Sequence, residues 1–216
     1  GKCGACNKEI YSKIADTIMT EDRIGLVVSM WTEFQRVSFY IDKLQTWKSF
    51  HTDRDYLNAE WTDNFHKGMS GVVPPNPLKK NMPYRISTEY RAFGLNEIQA
   101  STEDSIRMMH GVQTLCENKD IPYLQMQGPF PIMSKSKFDN EKKLTHTIIN
   151  NSFLKEIPKA TFLGWPIIKS IGGKCVDDYL TKDEKYVISK EDRHPNAKGH
   201  ELISEILYDK YNQNYS

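Results

Sequence analysis

The residues best suited to chemistry stand near the C-terminal end, in SKEDRHPNAKGHELISEIL. Asp192 and His194 flank a single arginine, and Pro195 follows at once. A carboxylate beside an imidazole fixes its tautomer, stabilises its charged form and leaves the second ring nitrogen to act as a general base. Glu191 offers a second carboxylate for the same duty. Helix punctuation accounts for only part of this stretch. Pro195 suits the first turn of a helix, where its missing N–H costs nothing, and Asn196 to Gly199 make the turn into it. Leu202, Ile203, Ile206 and Leu207 then recur at helical spacing and are predicted to face a core. Asp192 and His194 have no part in that account.

Cysteine chemistry is a second candidate. Cys3-Gly-Ala-Cys6 is a C-x-x-C spacing ahead of a helical pattern. A redox site of the thioredoxin kind wants a hydrophobic strand immediately before it, and a zinc site wants a second such pair. Neither is present in the sequence, since Cys116 and Cys175 stand alone. Cys6, at a helix start, is the thiol whose pKa a helix dipole would lower. His51, His66, His110, His146 and His200 show no metal-ligand spacing. The expectation is no metal and no cofactor.

The elements that must position these groups follow from periodicity. NKEIYSKIADTIM repeats apolar residues at Ile10, Ile14 and Ile18 and predicts a helix. RIGLVVSM is short, apolar and β-branched, as a buried parallel strand is. WTEFQRVSFY lies at its C-terminal end, where ligands bind in open α/β sheets, so Trp31 and Phe34 are candidates to line a cleft or to fill the core. Residues from about 41 to 100 show no clean period and are expected to form an insertion or lid of loops and short helices. STEDSIRMMHGVQTLCENKD predicts a helix capped by Ser101 or Thr102. IPYLQMQGP then predicts a strand, NEKKLTHTIINNSFLKEI a helix, KATFLGWP a short strand, and the residues after Pro195 the last helix. This alternation is that of a layered α/β fold with a mostly parallel sheet, in a single domain over 1–216.

Composition narrows the function classes. The 216 residues carry 29 basic and 28 acidic side chains, a net charge of +1. That balance argues against a polyanion-binding surface, and no nucleic-acid partner is expected. No apolar run is long enough to span a bilayer, and no signal peptide is visible, so the chain reads as soluble with its compartment unassigned.

DRHPNAKGHELISEIL closely resembles the last sequence block of the SGNH (GDSL-type) hydrolases, an Asp-His-Pro run followed by the C-terminal helix. GACNKEI looks like the second block of that family, and LVVSMWTEFQR sits where the third should be. The resemblance implies a three-layer α/β/α sandwich of flavodoxin-like type and acyl transfer by a Ser-His-Asp triad. His194 would be the base, with Asp192 or Glu191 as its orienting acid. Gly4 and Asn7 would serve the oxyanion, with Thr32 as a further donor and Trp31 beside the substrate. The family usually places two residues between acid and histidine, which here points to Glu191. It also usually has Gly-x-Asn-Asp in the third block, where this chain has Met30-Trp31-Thr32-Glu33. A carboxylate at Glu33 would repel an oxyanion unless turned away or protonated.

The first block of the family, a strand ending in Gly-Asp-Ser that supplies the nucleophile, has no counterpart in the sequence. The resemblance therefore implies that the first strand and the serine lie outside this chain, on an upstream segment or a second polypeptide, or that catalysis has been lost. The leading expectation is an esterase acting on acyl or acetyl esters of a carbohydrate or lipid. The alternative is a non-catalytic structural or glycan-binding protein on the same scaffold. The Trp-Thr-Glu-Phe-x-Arg run resembles SGNH-like proteins of marine viruses and phages, which for the alternative suggests a virion component.

Overall fold

The computed structural model describes residues 5–42, 45–51, 89, 92–95, 97–132, 137–180, 184–190 and 192–216. The chain enters α1 (Asn7–Thr20) through Cys6, whose Sγ accepts the Glu9 N–H at 3.4 Å and caps the helix. Ile10 and Ile14 pack against the core and Ile18 lies inside it, as the i, i+4 spacing requires. Strand β1 (Val27–Trp31) follows a short polar turn. Much later come α2 (Ile98–Glu117), β4 (Tyr123–Gln127), α3 (Lys137–Ile149) and β5 (Phe162–Leu163). Between β1 and α2 lie β2 (Arg36–Ile41) and β3 (Thr46–His51). A short α4 (Val176–Leu180) and the long α5 (Ala197–Tyr215) complete the described elements.

β1, β4 and β5 form a parallel sheet in the order β1-β4-β5. β4 is central, with all five residues buried. Because strand side chains alternate between faces, the sheet separates two cores. One face packs Trp31, Tyr123 and Phe162 against Ile18 of α1, Ile106 and Met109 of α2, and Leu144 and Ile148 of α3. The other packs Leu124, Met126 and Leu163 against α4 and Ile203 of α5, with Leu202, Ile206 and Leu207 partly buried beside them. The predicted α/β alternation is present, and the apolar stripe read for the last helix faces its core.

Two expectations need correction. The segment from about 41 onward begins not as loops but as one strand of an antiparallel hairpin, β2 with β3, in register Arg36↔His51 to Ile41↔Thr46. Tyr40 stacks edge-on to Trp47 at 5.5 Å, and the Ser38 and Ser49 hydroxyls meet across the pair. Cross-strand contacts of this kind lock a register that a single-strand period does not reveal. The remainder of the predicted lid, 52–88, lies outside the described residues. Second, α2 starts at Ile98 rather than after Ser101 or Thr102. Ser101 Oγ donates back to the Glu97 carbonyl at 2.8 Å, and Thr102 is fully buried. A hydroxyl bonded to its own preceding turn no longer acts as a cap. The residues after Gly164, for which periodicity gives no expectation, include the short helix α4.

Candidate active site

Helix α5 starts where expected, and its cap organises the loop before it. Asn196 Oδ1 accepts the Gly199 N–H at 3.1 Å, while its Nδ2 donates to the carbonyls of Lys185 and Val187 at 2.9 and 2.8 Å. A single amide thus ends one segment and starts the next. Gly199 sits so close to the Tyr186 carbonyl that no Cβ fits between them. Val187 pairs with Pro195 across an isolated antiparallel bridge. Ile188 N–H donates to the His194 carbonyl at 3.0 Å, and Ser189 N–H to the Asp192 carbonyl at 2.9 Å. The Asp192 N–H returns to Ser189 Oγ at 2.9 Å.

Held in this loop, His194 Nδ1 lies 2.5 Å from Asp192 Oδ1, and the His194 backbone N–H donates to the same oxygen at 3.1 Å. An ionised carboxylate only accepts, so Nδ1 carries a proton, and in the neutral imidazole Nε2 is the nitrogen with the free lone pair. Hydrogen bonding from the imidazole, and then from the backbone N–H, holds the Asp192 carboxyl below the usual range. The His194 side chain is 81% exposed, so its base nitrogen is open to a substrate. Of the two candidate orienting acids, Asp192 makes the bond; Glu191 lies outside the described residues, as does Gly4.

The other predicted residues gather at the C-terminal end of β1. Asn7 Oδ1 accepts the Thr32 N–H at 2.8 Å, and Asn7 Nδ2 donates to Thr32 O at 3.3 Å and Ser105 Oγ at 3.0 Å. With its amide engaged on both sides and only 3% exposed, Asn7 ties α1, α2 and the end of β1 together and offers no spare N–H to an oxyanion. Thr32 Oγ1 donates to Glu33 Oε2 at 2.7 Å, and Arg36 Nη2 reaches the same oxygen at 2.6 Å. The expected repulsion from Glu33 is therefore met by a third route: the carboxylate is paired with Arg36 in a half-buried setting, where such a pair keeps its strength. Trp31 needs a correction. It is fully buried, its indole N–H donating to Gln125 Oε1 at 2.9 Å, because the odd residues of β1 face the core; it lines no surface. Phe34, 3% exposed, is core as well.

Two residues that the sequence did not single out add to this part of the molecule. Gln127, at the end of β4, donates to Thr32 O at 3.0 Å and Pro129 O at 2.9 Å. Its Oε1 is buried with no hydrogen-bond partner among the described residues. Asp177 in α4 accepts the Phe130 N–H at 2.9 Å. Burial pushes its carboxyl up; the Phe130 N–H and Arg193 hold it down, and Asp178 and Glu33 push it further up. Arg193 adjoins His194 and Glu33 adjoins Thr32, so the carboxyl of Asp177 feels both the histidine loop and the end of β1. The available signals were polar residues in an apolar strand, QMQ, and the paired acids of VDDYL.

The thiol alternatives lose ground. Cys6 is 2% exposed with its sulfur on the Glu9 N–H, which makes it a helix cap. Cys3 lies outside the described residues. Burial pushes the Cys116 thiol up to about 11 and the Cys175 thiol up to about 12, so neither forms a thiolate near neutral pH. No group of three or more metal-ligating side chains occurs among the described residues. No helix among them is long and apolar enough to cross a membrane. No family model, no curated protein and no solved structure matches this chain.

Proposed function

We propose that the chain is the larger part of an SGNH-type ester hydrolase, a three-layer α/β/α domain whose nucleophilic serine lies outside these 216 residues. The observation that carries the reading is the His194–Asp192 pair on the loop before α5, with Nδ1 committed to the carboxylate and Nε2 outward. In the first step the serine oxygen attacks the ester carbonyl while its proton passes to His194 Nε2. Asp192 stabilises the imidazolium. The proton then goes to the departing alcohol, leaving an acyl-serine. Water, deprotonated by the same nitrogen, releases the acid and restores the serine. Asn7 and Gln127 hold the Thr32 backbone at the end of β1, and Arg36 pairs with Glu33, so that this carboxylate does not repel negative charge on a substrate oxygen. The substrate class is an acyl or acetyl ester of a carbohydrate or lipid.

The test uses the polypeptide at its native length, with p-nitrophenyl acetate as substrate and a fluorophosphonate as serine probe. His194→Ala is expected to lower turnover about 10⁴-fold while the fold is kept. Undiminished hydrolysis by that variant would sink the reading. A second reading is favoured by one observation: the Asn7 amide is wholly engaged within the protein. On it, the same scaffold binds glycans or serves in a virion without catalysis, and the fluorophosphonate labels nothing.

A further inference from the structure

Among the described strands, β1 is the outer strand of the parallel sheet, and none of them pairs along its outward side. Val27 N–H donates to Pro122 O, and the Trp31 carbonyl accepts the Gly128 N–H. By strand alternation, the backbone groups of Val27, Ser29 and Trp31 therefore point to β4, and those of Val28 and Met30 point away. No strand among the described residues pairs with them. The side chains are as unusual as the edge. Leu26, Val28 and Met30 are 40%, 45% and 43% exposed. Their register partners Leu124 and Met126, opposite Val28 and Met30, are buried, so the cover over β4 stops short of β1. Natural edges are blunted by charge, proline or bulges; this one carries apolar side chains and an open ladder.

The topology says what belongs there. The steps β1 to β4 and β4 to β5 move across the sheet in one direction, and the helices that follow β1 and β4, α2 and α3, pack on the same face. Two crossovers that share face and direction share a hand, and parallel crossovers keep one hand almost without exception. Helix α1 packs on that face too. Its N-terminus lies at the C-terminal end of β1, through the Asn7–Thr32 bonds. That is the end from which a preceding parallel strand would deliver the chain. A strand feeding α1 with the same hand must lie on the side of β1 away from β4.

We propose that the free edge of β1 is completed by a parallel strand supplied by the polypeptide that runs into α1 from its N-terminal side, burying Leu26, Val28 and Met30. The inference rests on topology and exposure, and stands whether or not the esterase reading holds. It is tested on the native-length polypeptide with a photoreactive phenylalanine at position 28, and on the unmodified protein by amide hydrogen exchange. The expected result is an intramolecular crosslink from position 28 to a residue N-terminal to Cys6. The Val28 and Met30 amides should exchange at least about 100-fold more slowly than exposed amides. A crosslink to a second copy or to a separate polypeptide overturns the proposed occupant. So does a native chain with too few residues before α1 to make a strand. Fast exchange at both amides overturns the docking edge itself.

Discussion

The histidine loop and the end of β1 are built in opposite ways. The bonds that shape the loop stay local in sequence: Asp192 to Ser189, His194 to Asp192, and Asn196 back to Val187 and Lys185, the longest spanning 11 residues. The cluster around Thr32 is made of groups far apart in sequence, Asn7, Ser105 and Gln127, and is buried. One region is an exposed tool on a local mount. The other is a knot that holds α1, α2, β1 and β4 in place. The difference separates what a substitution should do to chemistry from what it should do to folding.

The widest separation is expected between His194→Ala and Asn7→Ala. The first should remove turnover and leave the unfolding midpoint in urea where it was. The second strands the Thr32 N–H and the Ser105 hydroxyl in the interior and should cost about 2–4 kcal/mol, read from denaturant unfolding. A large stability loss in His194→Ala would erase the contrast. Next in size is Gly199→Ala, which forces a Cβ against the Tyr186 carbonyl. A cost of about 1–3 kcal/mol is expected from displacing the first turn of α5. Activity should fall with it, because the same turn carries the His194 loop; an unchanged rate would mean that the loop is positioned by its own bonds alone.

A smaller effect tests the group between the regions. The Asp177 carboxyl is raised above its ordinary value, chiefly by burial. A raised carboxyl favours folding when protonated and loses that contribution as pH rises through its folded pKa. The stability of Asp177→Asn relative to the parent should therefore increase from pH 4 to pH 7, in paired thermal unfolding scans. The smallest effect is at Asp192, held below the usual carboxylate range by His194. Its carboxyl carbon should titrate by NMR at lower pH than a free aspartate, and the midpoint should move up in His194→Ala. Any stability that it adds is present above the ordinary aspartate pKa and is lost as pH falls through the lower folded value.

The same contrast explains how much was legible in the sequence. Asp192, His194 and the cap at Asn196 lie within five residues, and their chemistry can be read from adjacency. Ile10, Ile14 and Ile18 declare α1 by spacing, and the strand and helix alternation declares the α/β class. Gln127 and Asp177 did not stand out, because their partners arrive through the fold: Gln127 meets Thr32 only once β4 lies beside β1. The position of Trp31 at the end of an apolar strand is compatible with a cleft or with the core, and the sequence alone does not decide between them. Which face of a strand an aromatic occupies depends on the neighbour it pairs with, and that neighbour enters 96 residues later. The hairpin of β2 and β3 escaped for a related reason, since its stabilising pairs, Tyr40 with Trp47 and Ser38 with Ser49, lie across strands.

β4 is the strand through which both cores are joined, and this sets a timetable for the growing chain on the ribosome. Residues 5–51 emerge without the partner that would enclose Trp31, and Leu124 and Met126 emerge without the helix that covers them until α5 is made. Neither half can bury its apolar side before a distant segment appears, so folding is expected to be late, cooperative and slow to nucleate. A chain stopped before residue 197 would expose the α5 side of β4 and be a target for chaperones and proteases.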